Sequence, residues 1–208
     1  EVDIHLTGDN KIMVSHDSNT KRTSGEDYII RQTDSPKLRR LDVGSFKDSK
    51  YKNEKIPFLK EVIKTIPVNK KLVVEIKCKS EVLPYLKKIV SGSGKKEQLI
   101  FIAFDWQTIA DTKKMFPSNK CYWLSSNRND VMSRMNTLQD SGIDGLDLHF
   151  SIIDEELVGM AKKSNLEVLA WTVDDPAEAK RLIGLGIKSI TTNKPDWLKS
   201  ALSGMQVK

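Results

Sequence analysis

Cysteine is scarce in this sequence: Cys78 and Cys121 are the two thiols in 208 residues. Cys78 falls near the end of one strand-like run and Cys121 near the start of another. In a parallel barrel those are opposite faces, too far apart for a disulfide, so both read as free thiols. No apolar run approaches the ~20 residues needed to span a bilayer, and no integral membrane segment is expected. No Gly-rich phosphate loop follows any strand, which argues against a doubly wound nucleotide fold. Internal repeats and low-complexity segments are also absent. Aromatic residues are 7% of the chain and do not interleave with basic ones in a stripe, so no nucleic-acid partner is expected despite a net charge of +6. That positive field favours small anionic partners such as phosphate esters or lipid headgroups. The opening Glu1-Val2-Asp3-Ile4-His5 has neither a basic n-region nor an apolar h-region. The compartment stays open between cytoplasm and periplasm or secretion, with any targeting segment expected upstream of Glu1, and the oligomeric state is not legible.

What is present is one domain of ordinary globular composition, residues 1–208, with 38% hydrophobic and 30% charged residues. Short apolar runs alternate with amphipathic stretches. The runs predict strands over Glu1–Leu6, Leu72–Lys77, Leu99–Phe104, Cys121–Leu124, Gly145–His149, Val168–Thr172 and Ser189–Thr192. Helical spacing such as Leu59, Val62, Ile63 and Ile66 predicts helices over Phe58–Thr65, Ser80–Val90, Trp106–Met115, Asp130–Gln139, Asp154–Lys163 and Pro176–Leu185. Such β-α alternation means a parallel sheet with right-handed crossovers. Polar groups recur at the carboxyl ends of several strands (Glu75, Lys77, Asp147, His149, Thr172), where (β/α)8 TIM barrels build their sites. The fold expected is therefore the TIM barrel. Seven strands stand where a barrel needs eight, so the first β-α unit is expected upstream of Glu1. A second short strand, Lys11–Ser15, follows the turn residues Gly8-Asp9-Asn10. After it, residues 17–55 read as a polar functional insertion.

The first strand alternates with period 2, so Glu1, Asp3 and His5 share one face. Two carboxylates pointing the same way repel unless a cation lies between them. Glu75 and Lys77 form a charged i, i+2 pair in the apolar Leu72-Val73-Val74-Glu75-Ile76-Lys77, which costs desolvation energy unless it faces a site. Carboxylates without thiolates suit a hard divalent cation, Mg²⁺ or Ca²⁺, better than zinc. His16, followed by Asp17, is a candidate for proton transfer near neutral pH. Asp147 and His149 share a face at the end of another strand, read either as mouth residues or as core.

The run Glu-x-Asp-Ile-x-Leu-Thr-x-Asp, followed by Met-Val-x-His-Asp, resembles the signature of the glycerophosphodiester phosphodiesterase family. The resemblance continues through Lys21-Arg22-Thr23, Leu41-Asp42-Val43-Gly44-Ser45-Phe46 and Lys55-Ile56-Pro57-Phe58-Leu59-Lys60-Glu61-Val62. It runs on in order through Val74-Glu75-Ile76-Lys77, Phe104-Asp105-Trp106, Ala170-Trp171-Thr172-Val173-Asp174 and Ile190-Thr191-Thr192-Asn193-Lys194-Pro195.

The resemblance implies roles. Glu1, Asp3 and Glu75 would hold one divalent cation, and His16 would be one of two catalytic histidines. Lys77 would contact the phosphate and Trp171 would pack against the glycerol moiety; His149, read from its place at a strand end rather than from the resemblance, is a further substrate-binding candidate. The implied reaction is metal-dependent hydrolysis of a small glycerophosphodiester to glycerol 3-phosphate and an alcohol. The family's other histidine lies in a His-Arg-Gly motif that this sequence does not contain, nor does it contain the downstream Glu-Asn pair. Ala103 stands where Ser is frequent, and Asn193 where Asp is commoner. The rival readings are a related barrel phospholipase acting on lipid headgroups and a non-catalytic barrel that binds a phosphoester or a protein.

Overall fold

The computed structural model describes residues 1–204. The chain divides into two compact units, Glu1–Lys120 and Cys121–Lys208. In the first unit, β1 (Val2–Leu6) and β2 (Ile12–Val14) form an antiparallel hairpin pairing Ile4 with Val14, His5 with Met13 and Leu6 with Ile12. The hairpin turn closes through the Thr7 N–H donating to the Lys11 carbonyl at 2.9 Å. Asn10 takes φ 59°, a left-handed conformation that Asn tolerates better than most residues. β1 runs parallel to β3 (Leu72–Ile76), and β3 to β4 (Leu99–Ala103), giving the order β2-β1-β3-β4. Leu72, Val74 and Ile76 are buried while Val73 and Glu75 are half-buried, the alternation a pleated strand imposes. The expected strands of this unit all form, trimmed by a residue or so at their ends.

The polar stretch over residues 17–55 is folded rather than open loop. It carries two one-turn helices, α1 (Lys21–Ser24) and α2 (Ser35–Leu38), with 3₁₀ turns at Ile30–Gln32 and Ser49–Tyr51. Its Ile30, Leu38 and Leu41 bury together with Met13 of β2 and with Ile56, and Tyr28, Val43 and Phe58 pack against them. Asp9 in the hairpin turn accepts from the Ser35 N–H at 2.8 Å, the Ser35 hydroxyl at 2.7 Å and the Thr7 hydroxyl at 2.6 Å. The turn is thereby tied to the start of α2. The helices that follow are α3 (Leu59–Thr65), α4 (Leu83–Ser91) and α5 (Trp106–Met115). The helix expected from Ser80 opens as a 3₁₀ turn, Ser80–Val82, and becomes α-helical at Leu83, with Pro84 in its first turn. Asp105 caps α5 by accepting from the Thr108 N–H at 2.9 Å.

In the second unit, β5 (Lys120–Ser125), β6 (Gly145–His149) and β7 (Glu167–Trp171) run parallel in that order. The helices are α6 (Arg128–Asp140), α7 (Glu155–Lys163), α8 (Pro176–Gly184) and α9 (Pro195–Gly204). Asn127, Asp154 and Asp175 cap the first three with their side-chain oxygens. One expected strand is not formed here, and one helix is additional. Ser189–Thr192 is not a strand: one bridge joins Ile190 to Ala170. Past the bridge the Thr192 hydroxyl, the Asn193 N–H and the Asn193 side-chain amide all donate to Asp174, at 2.8, 2.8 and 2.9 Å. Such local side-chain bonds compete with a ladder. The helix α9 was not anticipated, although Pro195 at its first position and the buried Leu198 carry its signal. No helix among the described residues is long and apolar enough to cross a membrane.

Candidate active site

The register of β1 on β3 places Asp3 directly opposite Glu75. Glu1, two residues before Asp3, falls on the same face. One carboxylate oxygen from each of Glu1, Asp3 and Glu75 lies within 4.8 Å of the others. Lys77 continues β3, and its Nζ stands 3.4 Å from Asp3 Oδ1 and 3.3 Å from Glu75 Oε1. The Asp3 and Glu75 side chains keep 13% and 12% of their exposure. The face is thus largely withdrawn from water.

The electrostatics follow from that crowding. Glu1 is exposed as a residue, but its carboxyl end is screened within the cluster. Its pKa is pushed up to about 7, by burial first and by the Asp3 charge second. Glu75 is raised by burial, against the pull of Lys77 and with the push of Asp3. Burial opposes the charge on Lys77, but Glu75 and Asp3 outweigh it and its pKa rises. Three carboxylates facing one ammonium leave an excess of two negative charges when all are ionised. That excess and the all-oxygen donor set fit one hard divalent cation.

The end of β2 is stitched to this cluster by the Ser15 N–H donating to the Asp3 carbonyl at 3.0 Å, and His16 follows at once. His16 Nδ1 lies 2.8 Å from Asp17 Oδ1, and Arg22 Nε donates to Asp17 Oδ2 at 2.6 Å. Hydrogen bonds from Arg22 and then His16 hold the Asp17 carboxyl down at about 2. An ionised carboxylate only accepts, so Nδ1 carries the hydrogen, and in the neutral ring Nε2 presents its lone pair. The His16 side chain is 67% exposed, open to a bound ligand.

His5 is the residue sequence reasoning left without a role. It is buried, its Nε2 lies 3.4 Å from the His16 carbonyl, and burial lowers its pKa against the pull of that hydrogen bond. Its signal was its place on the Glu1–Asp3 face.

In the second unit, His149 and Trp171 face each other across the β6–β7 register, their ring centroids 5.1 Å apart in an edge-on contact. The Trp171 indole N–H donates to the Asp147 carbonyl at 3.0 Å, and His149 Nδ1 pairs with the Ser151 hydroxyl at 2.7 Å. Asp147 itself is buried. Cys78 and Cys121 are both free thiols.

The model of the glycerophosphoryl diester phosphodiesterase family matches residues 1–197. A glycerophosphodiester phosphodiesterase of Caldanaerobacter subterraneus subsp. tengcongensis is 29% identical over 204 residues, covering 95% of this chain and 83% of that protein. A solved phosphodiesterase of Oleispira antarctica, in complex with its product sn-glycerol-3-phosphate, aligns with TM-score 0.82 at 26% identity, covering 97% of this chain and 83% of the other. A glycerophosphodiester phosphodiesterase of Thermotoga maritima shares the fold with TM-score 0.76 at 24% identity, covering 96% and 83%. The fold class is accordingly the (β/α) barrel read from the sequence. With the family match running over residues 1–197, this chain belongs to the glycerophosphoryl diester phosphodiesterase family and is a phosphoric diester hydrolase.

Proposed function

We propose that the chain hydrolyses glycerophosphodiesters to glycerol 3-phosphate and an alcohol, with Mg²⁺ or Ca²⁺ required and His16 moving the proton. The observation that carries this reading is the convergence of Glu1, Asp3 and Glu75 oxygens within 4.8 Å, beside the Lys77 ammonium. The product complex of the Oleispira relative supports the same substrate class.

A divalent cation held by Glu1, Asp3 and Glu75 would supply positive charge for a phosphoryl oxygen and ease ionisation of a neighbouring hydroxyl. The remaining work falls to the chain's own groups. Lys77 has three N–H donors, two of them turned to Asp3 and Glu75, and the third offsets charge on the phosphoryl group. The glycerol 2-hydroxyl loses its proton as its oxygen attacks phosphorus, and the P–O bond to the departing alcohol breaks as that alcohol gains a proton. Water then opens the cyclic phosphate. His16 Nε2 serves one of the two proton transfers: as a free lone pair it takes the first proton, and as imidazolium it gives the second. For Trp171 and His149 we assign substrate contacts, Trp171 against the glycerol carbons.

The test is a coupled assay for glycerol 3-phosphate released from glycerophosphocholine by the full-length protein. Turnover that stops on chelation and returns with Mg²⁺ or Ca²⁺ supports the reading. Turnover unaffected by chelator removes the cation from it. Hydrolysis of lysophosphatidylcholine with none of glycerophosphocholine replaces the substrate.

A further inference from the structure

His16 is an exposed ring with a single side-chain partner among the described residues, an arrangement that ordinarily leaves an imidazole free to turn. Here the partner is itself held. Both oxygens of Asp17 are engaged, one by His16 and the other by Arg22. The Arg22 backbone sits in α1, a turn closed by Thr20, whose carbonyl accepts from the Thr23 and Ser24 N–H groups at 3.2 and 2.9 Å. Gly25, at φ 77°, ends that turn. The Arg22 guanidinium carbon lies 5.9 Å from the centroid of the exposed Phe46 ring. Phe46 is carried on a loop pinned by Asp42, which accepts from the Gly44 N–H, the Ser45 N–H and the Ser45 hydroxyl at 2.9, 3.1 and 2.6 Å. Two separate segments of the insertion therefore converge on one guanidinium.

We propose that Arg22 is a positioning residue of the reaction: through Asp17 it holds the His16 ring in one orientation with the hydrogen on Nδ1. This rests on the reading of His16 as the proton-transfer group. Exposed ion pairs contribute little to stability, so the Arg22–Asp17 pair is not explained as a fold anchor. Its consequence is geometric. With one oxygen fixed by Arg22 Nε, the Asp17 carboxylate cannot rotate away from the ring, and a fixed acceptor at Nδ1 keeps the Nε2 lone pair pointing outward. Without Arg22 the carboxylate swings and the ring loses its fixed orientation: as acid its Nε2–H is misdirected, and as base the neutral ring samples the other tautomer, in which Nε2 carries a hydrogen and cannot take a proton.

The experiment combines kinetics with side-chain ¹⁵N spectra of His16 in the full-length protein. Arg22→Met is expected to lower kcat by about 10- to 100-fold, the usual cost of losing a residue that orients a site group, with KM and cation affinity near wild type. Arg22→Lys should recover part of the loss, since it keeps the charge but not the directed Nε donor. In a His16→Ala background, Arg22→Met should cost nothing more, because the two act as one unit. The spectrum should show Nδ1–H in the wild type and a tautomer mixture in Arg22→Met. Asp17→Asn, which keeps the shape of the carboxylate, reads the same link if Arg22→Met lowers the melting temperature. An inactive His16→Ala variant beside a fully active Arg22→Met overturns this proposal alone. Additive losses in the double variant overturn it too, by placing Arg22 in another role. An active His16→Ala variant overturns the reading beneath it, and the proposal with it.

Discussion

Lys77 Nζ lies 3.3 Å from Glu75 Oε1, two residues back along the same strand line. The same ammonium stands 3.4 Å from Asp3, so the carboxylate cluster has a counter-charge of its own. A cation entering there shares its ligand oxygens with Lys77. Lys77→Met is therefore expected to tighten Mg²⁺ or Ca²⁺ binding by roughly tenfold or more, since charges a few ångströms apart interact by a few kcal/mol even at an effective dielectric of about 20. It should also lower kcat by roughly 10²–10³, the loss typical of removing one charge-stabilising donor. Titration calorimetry and the coupled assay read both. Weaker cation binding in the variant would show that Lys77 organises the oxygens rather than competing for them.

Glu75 is the proposed ligand whose loss is most telling, because it comes from a different strand than Asp3. Glu75→Gln keeps the volume and removes the charge. Calorimetric titration should show the Mg²⁺ or Ca²⁺ binding of the wild type lost in the variant. Binding retained within about threefold, under 1 kcal/mol, would be too small a change for a lost anionic ligand and would move the site elsewhere.

Asp9 gives a prediction about the fold. Burial alone would raise its pKa, but hydrogen bonds from Thr7 and Ser35 outweigh it and the pKa is lowered. A carboxylate with a depressed folded-state pKa adds stability above its unfolded value, ~3.9 for Asp, and that stability is lost as pH falls through the folded value. Asp9→Ala should cost about 1–2 kcal/mol at pH 7, with partial exposure holding it to the low end. The gap to wild type should narrow as pH drops below ~4. Urea unfolding at pH 7 and pH 3 measures it. An equal loss at both would assign the effect to packing instead of to the ionised group.

The strands of the first unit were legible because Leu72-Val73-Val74-Glu75-Ile76 and Leu99-Ile100-Phe101-Ile102-Ala103 are dense apolar runs of strand length, and nothing competes with the ladder there. Ser189–Thr192 reads as a strand by composition, but Asp174 draws one side-chain bond from Thr192 and two bonds from the next residue, Asn193, which no pattern within the segment reveals. The one-turn helices of the insertion escaped for another reason: four residues are too few to show a helical period, α1 buries none of its residues, and Leu38 of α2 is buried against Met13 and Ile56 from outside the segment. In the site, period 2 aligned Glu1 with Asp3, and the parallel register then brought Glu75 opposite Asp3. The same alternation pointed at His5, yet a histidine's pattern does not tell a buried neutral ring from an exposed working one. The Asp17–Arg22 link was invisible because it joins residues five apart across a turn rather than along a helix face.

His16 and the carboxylates are separable by experiment, and that separation is the sharpest test of the proposed chemistry. His16 offers no atom to the cluster of oxygens proposed to hold the cation, which is made by Glu1, Asp3 and Glu75. His16→Ala should therefore leave Mg²⁺ or Ca²⁺ affinity near wild type. It should still abolish most turnover, since loss of a positioned general acid or base typically costs ~10²–10⁴ in rate. Glu75→Gln should do the reverse in order of cause: the cation goes first and activity follows it. The pH profile carries the second half of the argument. A reaction using one group as base and another as acid shows a bell, and any residual activity of His16→Ala should have lost one limb of it. The ring is well exposed, with Asp17 as its side-chain partner, so its removal should leave the melting temperature close to wild type. Turnover within about threefold of wild type would be far below the range for such a group and would return His16 to the surface, with His149 next to be tested.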